Sequence, residues 1–301
     1  MLPEGPISPD AQDLVDYNKE GQVIIVVHAN SRNDFSCMKK GELSRVRNLN
    51  PRTGKPRRLE GGSLMHRLLE VYYQLSMWTD YAFDFKIDEA VRYGRYCIVA
   101  EQMNNLDQSE AEFIIQRFKE YCEFYINDTW RPYMIEQPFA KTMYEDKDYH
   151  IIGESQLDYA GIDTAPNGGI PGIFVADHKT EEKATNPDIL QDQGYMYAWW
   201  SEQPYVVSNR IGLQEKKKDP FHREILPYTK EKVQDWLEEI VSWAINTDSQ
   251  IKAGYFPRNF SMCHVYGLCI FANICMAQPG DRDRIINRDF VSGLDRTHFG
   301  G

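Results

Sequence analysis

Apolar residues fall three and four apart through Leu64, Met65, Leu68, Leu69, Tyr72 and Tyr73, the spacing that gives an α-helix one core-facing side. Gly61-Gly62 is read as a break in the chain before this helix. Residues from about 79 to 130 keep a helical period, with Ser109 a candidate N-cap ahead of Phe113, Phe118 and Phe124. Two-residue alternation and β-branched runs then predict strands at Val23 to Val27, Tyr133 to Glu136, Tyr149 to Ile152, Gln156 to Ala160 and Ile173 to Ala176. Asn167-Gly168-Gly169 reads as a turn, and a helix is expected from near Pro187 to Trp200. Strands at Tyr205 to Leu213 and Arg223 to Leu226 precede an amphipathic helix opening at Thr229, with Val233, Leu237, Ile240, Val241 and Ala244 on one side.

This order predicts an α/β fold: a mixed central sheet flanked by helices, with a helical insertion ahead of most of the sheet. A single domain over 1–301 is expected, with a helical part at 62–130, a sheet core at 131–228, closing helices at 229–277 and a tail at 278–301 that reads as an extended end. No G-x-x-x-x-G-K-[ST] occurs, since Gly54-Lys55 is followed by Pro56, so no ATP site is expected.

With 34 basic against 45 acidic side chains the formal charge is −11, so any phosphate-binding surface has to be local. The stretch holding Lys39, Lys40, Arg45, Arg47, Arg52, Lys55, Arg57 and Arg58 is either a solvated loop or a phosphate-contacting collar. No apolar run reaches the roughly 20 residues of a membrane span. Met1-Leu2-Pro3-Glu4-Gly5 lacks the features of a signal peptide, and a cytoplasmic protein is expected. Six cysteines in a reducing compartment point to metal or to burial rather than disulfides.

The candidate chemistry lies mid-chain. Asp158 precedes the apolar run Ile173-Phe174-Val175-Ala176, which ends in Asp177-His178-Lys179, and Gln193 and Tyr197 follow at helical spacing. A carboxylate closing an apolar strand is rare unless paired or liganded. Two such acids can hold a hard divalent cation through oxygen, which stabilises charge building on a phosphate, while a neighbouring lysine steers the attacking water.

In this arrangement the chain resembles the PD-(D/E)XK nucleases, with their restriction-endonuclease-like core, and within them the RecB-like branch. Gly61 to His66 is similar to that family's G-x-x-x-H helix, Gly153 to Asp158 to its G-x-x-D strand, Asp177 to Thr180 to its D-x-K-T strand, and Gln193 to Tyr197 to its Q-x-x-x-Y helix. The resemblance implies that Asp158, Asp177, His66 and the backbone carbonyl of His178 hold Mg²⁺ or Mn²⁺, that Lys179 positions the water, and that Gln193 and Tyr197 brace them. Gly153 stands five residues before Asp158 rather than three, which leaves Asp163 as a competing first carboxylate. Glu136 matches a family glutamate, or is an edge-strand charge.

Cys263, Cys269 and Cys275, with Cys37 far upstream, resemble the iron–sulfur subgroup of that branch, which includes AddB-type and CRISPR-associated exonucleases. This implies a [4Fe–4S] cluster stapling the C-terminal helix to the N-terminal segment. Zinc and plain burial are the alternatives, and Cys97 and Cys122 are read as core. The activity implied is metal-dependent cleavage of DNA that is single-stranded or has accessible ends, in recombination, repair or phage genome processing, in a bacterial or phage-infected cell. The competing expectation is a non-catalytic or partner-dependent DNA-end-binding subunit of a larger complex.

Overall fold

The computed structural model describes residues 21–29, 31–52, 57–78, 81–101, 103–165, 170, 172–181, 192–214, 219–264 and 268–292. A six-stranded mixed sheet forms its centre, built from β1 (Val23–His28), β3 (Trp130–Glu145), β4 (Tyr149–Asp163), β5 (Ile173–Glu181), β6 (Tyr205–Gly212) and β7 (Phe221–Pro227). The hairpin partner β3 follows one edge of β4 from Asp163 to His150. The other edge of β4 is shared: β1 runs parallel to it from Tyr149 to Glu154, and β5 runs antiparallel to it from Ile162 to Tyr159. The C-terminal ends of β1 and β5 therefore approach each other across Ser155–Asp158 of β4, where neither strand pairs. From Ala176 onward β5 pairs with β6 instead. The site sits in this opening.

Each face of the sheet carries its own core. Two short helices, α1 (Ser31–Asp34) and α2 (Met38–Gly41), precede three long ones, α3 (Arg57–Ser76), α4 (Phe83–Ala100) and α5 (Gln108–Phe124), which bury Leu64, Leu68, Ile87, Phe118 and Tyr121 against Tyr159, Phe174 and Ala176. Helices α6 (Asp192–Ser201) and α7 (Lys230–Lys252) bury Tyr197, Trp236 and Ile240 against Leu157, Ala160 and Val175 on the other face. A small lobe stands apart. In it β2 (Leu49–Pro51) pairs with β8 (Phe290–Ser292), and Leu43, Phe271, Ile274 and Ile286 pack around them. No helix among the described residues is long and apolar enough to cross a membrane.

Several local expectations change. Gly61 and Gly62 lie inside α3 rather than before it. The missing Cβ of Gly62 lets the helix pass close to β5, since a Cβ there would stand 2.8 Å from Thr180 Oγ1, while a Cβ on Gly61 would meet Ile114 Cδ1 of α5 at 3.2 Å. The cap of α5 is Asp107, not Ser109: Asp107 Oδ1 accepts from the Glu110 backbone N–H and Glu110 Oε2 accepts from the Asp107 backbone N–H, a full capping box. The separate strand pieces at Tyr149 and Gln156 are one strand, β4, and β5 runs on past Asp177 through Lys179 because β6 offers a new pairing edge. The described part of the expected tail is ordered into α9 (Arg282–Asp289) and β8, which β2 recruits. The Asn167-Gly168-Gly169 turn, Lys55 and the beginning of the helix at Pro187 lie outside the described residues. In the basic stretch Lys39 pairs with Glu42, and Lys40 and Arg45 pair with Asp34, so these cations are partly neutralised locally.

Candidate active site

Strand alternation breaks where the site forms. Residues two apart on a strand should share a face, yet Leu157 packs with α6 and α7 while Tyr159 packs with α3 to α5. The same switch occurs on β3, where Ile135 joins the α3–α5 core and Phe139 the opposite one. Ile135 pairs with Tyr159 and Gln137 with Leu157, so the irregularity is confined to Glu136 and Asp158. Its cause is visible at Glu136, whose φ of 48° is in the left-handed region that costs an L-residue about 1–2 kcal/mol. Strain of this kind persists only where surrounding contacts enforce it.

The contacts are explicit. Gln156 Nε2 donates to the Glu136 carbonyl at 3.2 Å and to Glu136 Oε2 at 2.8 Å. The other carboxylate oxygen, Oε1, lies 3.4 Å from His66 Nδ1. His66 reaches the opening from α3, and its Nε2 lies 3.0 Å from the carbonyl of His178, so an Nε2–H tautomer donates there and leaves Nδ1 toward the acids. Asp158 Oδ1 lies 4.0 Å from that same Nδ1, while Asp158 Oδ2 accepts the His178 backbone N–H at 2.8 Å. His66, Glu136 and Asp158 each present one donor atom within 4.8 Å of the others.

Asp177 and Lys179 complete the opening from β5. Lys179 Nζ is 3.0 Å from Asp177 Oδ2 and donates to Gln193 Oε1 at 2.6 Å. Gln193 Nε2 donates to the Tyr197 hydroxyl at 3.0 Å, and that hydroxyl donates to the Gln156 carbonyl at 2.7 Å. The chain from the lysine to β4 is thus closed and directional. Asp177 Oδ1 is buried with no hydrogen-bond partner, a costly condition unless something else meets it.

The electrostatics follow from burial of several acids around two cations. Burial raises the Asp158 carboxyl to about 7, opposed by His66 and reinforced by Asp177 and Glu136. Burial would lower His66, but Asp158, the hydrogen bond to Glu136 and the charge of Asp177 outweigh it and raise the imidazole to about 9. The site is therefore short of positive charge, which His66 supplies as an imidazolium when nothing else does.

The remaining sequence candidates separate. The His178 side chain points away from the acids: it stacks on Tyr73 with ring centroids 5.7 Å apart, and its Nδ1 meets Asn209 Nδ2 at 2.7 Å. Only its backbone N–H and carbonyl face the site. Asp163 lies at the far end of β4, where its carboxylate accepts from Thr129, Ala165 and Ile170, so it braces a loop. Gly153 serves packing, because a Cβ there would meet the Trp199 ring at 2.8 Å. Glu136, left open as an edge charge, stands inside the compact group while Asp177 lies beside it. Gln156 was missed altogether. Its signal is weak, a single polar residue two before an acid.

Cys37, Cys263, Cys269 and Cys275 line one cavity of about 20 Å³ with Lys40, Arg258 and Phe271. Cys37 Sγ accepts the Asn259 backbone N–H at 3.3 Å. The three late cysteines lie on a 3₁₀ turn (Phe260–Cys263), an irregular segment and the short helix α8 (Ala272–Met276), rather than on one C-terminal helix. No three of the four sulfurs lie within 4.8 Å of one another, so as they stand they are not gathered around one ion. Cys97 and Cys122 are buried in the helical core.

A family model described as the PD-(D/E)XK nuclease superfamily matches residues 36–276. Among solved structures, the one described as "Crystal structure of SSO0001" is similar over 88% of this chain and 90% of that chain, at 10% sequence identity and a TM-score of 0.36. No curated protein matches the chain.

Proposed function

Since the chain belongs to the PD-(D/E)XK nuclease superfamily, whose members cleave phosphodiester bonds with divalent metals, we propose that it is a metal-dependent deoxyribonuclease acting from accessible DNA ends. The observation that carries this reading is the convergence of His66, Glu136 and Asp158 within 4.8 Å, with the unpartnered Asp177 Oδ1 beside them. Oxygen donors with one imidazole suit Mg²⁺ or Mn²⁺. Asp158 Oδ1, Asp177 Oδ1, Glu136 and His66 Nδ1 would hold the cation, whereas the His178 carbonyl, expected as a further ligand, is engaged by His66 Nε2. When bound, it supplies positive charge against the phosphate and acidifies water.

The protein's own groups do the rest. Lys179 is held by Asp177 and Gln193 with its ammonium at the edge of the acids, where it orients water towards phosphorus and shares its proton. Gln193 and Tyr197 fix the direction of that ammonium, because each hydrogen bond in the relay has its donor and acceptor assigned by the next. His66 donates through Nε2 to the His178 carbonyl, which leaves Nδ1 for the cation. DNA as substrate and the end-directed mode rest on the resemblance to the RecB-like branch, as does a role in recombination, repair or phage genome processing.

For the cysteines the same reading is a [4Fe–4S] cluster. Each thiolate of such a cluster binds a different iron, so its sulfurs stand further apart than around one ion. What supports it is that the four cysteines border one cavity and that Cys37 Sγ already accepts an N–H; the cavity of about 20 Å³ would have to open to take the cluster. Iron and sulfide analysis of anaerobically purified protein tests this, and a metal-free preparation with native stability overturns it.

The activity test is cleavage of end-labelled linear single- and double-stranded DNA beside closed circles, with Mg²⁺ or Mn²⁺, comparing wild type with Asp177→Ala. Metal-dependent digestion that spares circles and vanishes in the variant is expected. Inert, metal-loaded wild type would move the function to a non-catalytic or partner-dependent DNA-end-binding subunit.

A further inference from the structure

We propose that Gln156 is a positioning residue that holds Glu136 in its strained conformation and so supplies the third carboxylate of the metal site. The inference deepens the nuclease reading and rests on it for the role of Glu136.

A single amide group grips Glu136 at both ends. The two hydrogens of Gln156 Nε2 go to the Glu136 carbonyl and to Glu136 Oε2, at 3.2 and 2.8 Å. With Oε2 occupied, Oε1 is the oxygen left facing His66 Nδ1 at 3.4 Å. The grip also fixes the peptide that follows a residue at φ 48°, the point at which β3 exchanges the faces of its side chains. The grip opposes return to an ordinary extended backbone, which would swing the carboxylate off the group.

Gln156 is itself anchored. Its carbonyl accepts the Tyr197 hydroxyl, the end of the relay that begins at Lys179. Glu136 and the lysine relay therefore meet at one residue. Gln156 Nε2 directs both its hydrogens to Glu136, so it acts through Glu136.

The test compares wild type, Gln156→Met, Glu136→Gln and the double variant by Mn²⁺ titration calorimetry and by crystallography without metal. Gln156→Met keeps side-chain length and removes both donated hydrogens. Partners that orient a metal ligand usually matter 10- to 100-fold in affinity, so Mn²⁺ binding is expected to weaken about tenfold or more. The double variant should bind no more weakly than Glu136→Gln alone. In the Gln156→Met crystal, Glu136 should leave positive φ and Oε1 should withdraw from His66. An unmoved Glu136, unchanged Mn²⁺ affinity, or an additive loss in the double variant overturns the proposal. Should Gln156→Met not fold, Gln156→Glu, which keeps the shape but offers only acceptors, is read the same way in the crystal. If wild type binds no Mn²⁺, the nuclease reading fails, while the position of Glu136 in the variant crystal still decides whether Gln156 holds it.

Discussion

Gly62→Ala tests how α3 delivers His66 to the acids. In an exposed helix interior, replacing glycine by alanine stabilises by about 1 kcal/mol. Here the new Cβ would lie 2.8 Å from Thr180 Oγ1, one residue beyond Lys179 on β5. Either Thr180 turns or the helix moves out, and accommodating such a contact costs about 1–2 kcal/mol. The expected result is no gain, or a loss of up to about 1 kcal/mol. In a Thr180→Ala background the obstacle is gone and the gain of about 1 kcal/mol should return. Urea unfolding of the four proteins in the cycle measures the coupling, expected at about 1–2 kcal/mol. Because His66 lies one turn after Gly62, an outward shift should also lengthen its contact with the His178 carbonyl and weaken Mn²⁺ binding, and Thr180→Ala should restore it. A full gain in stability from Gly62→Ala with Thr180 intact, at unchanged Mn²⁺ affinity, would refute the claim that this close approach sets the position of the histidine.

Three further outcomes follow from named contacts. Tyr197→Phe removes the hydroxyl between Gln193 and the Gln156 carbonyl, and leaving these groups unpartnered should cost about 1–3 kcal/mol in urea unfolding and lower kcat more than it alters DNA KM. Arg223→Met strips Asp128 of a partner at 2.7 Å and unstacks the guanidinium from Tyr125 and Trp130, so a loss of about 3 kcal/mol is expected, part of it recovered by adding Asp128→Asn. The Asp163 carboxyl is lowered: burial opposes this, but Thr129 and the N–H groups of Ala165 and Ile170 outweigh it. A depressed acid contributes stability above its unfolded pKa and loses it as pH falls through the folded one. Thermal melts of Asp163→Asn should therefore fall less steeply than wild type below about pH 4, and equal slopes would contradict the assigned hydrogen bonds.

Local chemistry made most of the fold legible. The stripe through Leu64, Leu68 and Leu69 did become the buried side of α3, and α7 does open at Thr229, whose hydroxyl accepts the Lys232 N–H. What sequence periodicity could not reveal was tertiary. Gly61-Gly62 reads as a breaker on propensity alone, and only the closeness of Ile114 to Gly61 and of Thr180 to Gly62 explains two glycines within a helix. The ordering of Phe290–Ser292 depends on β2, more than 200 residues away along the chain, and no local pattern announces that pairing.

The site divides along the same line. Asp158, Asp177, Lys179, His66, Gln193 and Tyr197 carry chemistry in their residue types and spacing, so they could be singled out before any geometry was known. Glu136 could not be separated from an edge charge, because its role depends on a backbone angle. A strand that alternated regularly through Ile135, Glu136 and Gln137 would direct Glu136 by parity alone, whereas φ of 48° resets the parity on β3, and β4 resets with it at Asp158. Matched resets in two paired strands preserve the register, so the hydrogen-bonded pairs on either side give no hint of the change. They also explain why acids from adjacent strands can meet a histidine from the α3 side while the Asp158 carboxylate remains within 3.5 Å of the Tyr197 hydroxyl on the α6 side. A regular sheet would have kept these groups in separate layers. The strain at Glu136 is thus the means by which one opening draws side chains from both faces of the sheet.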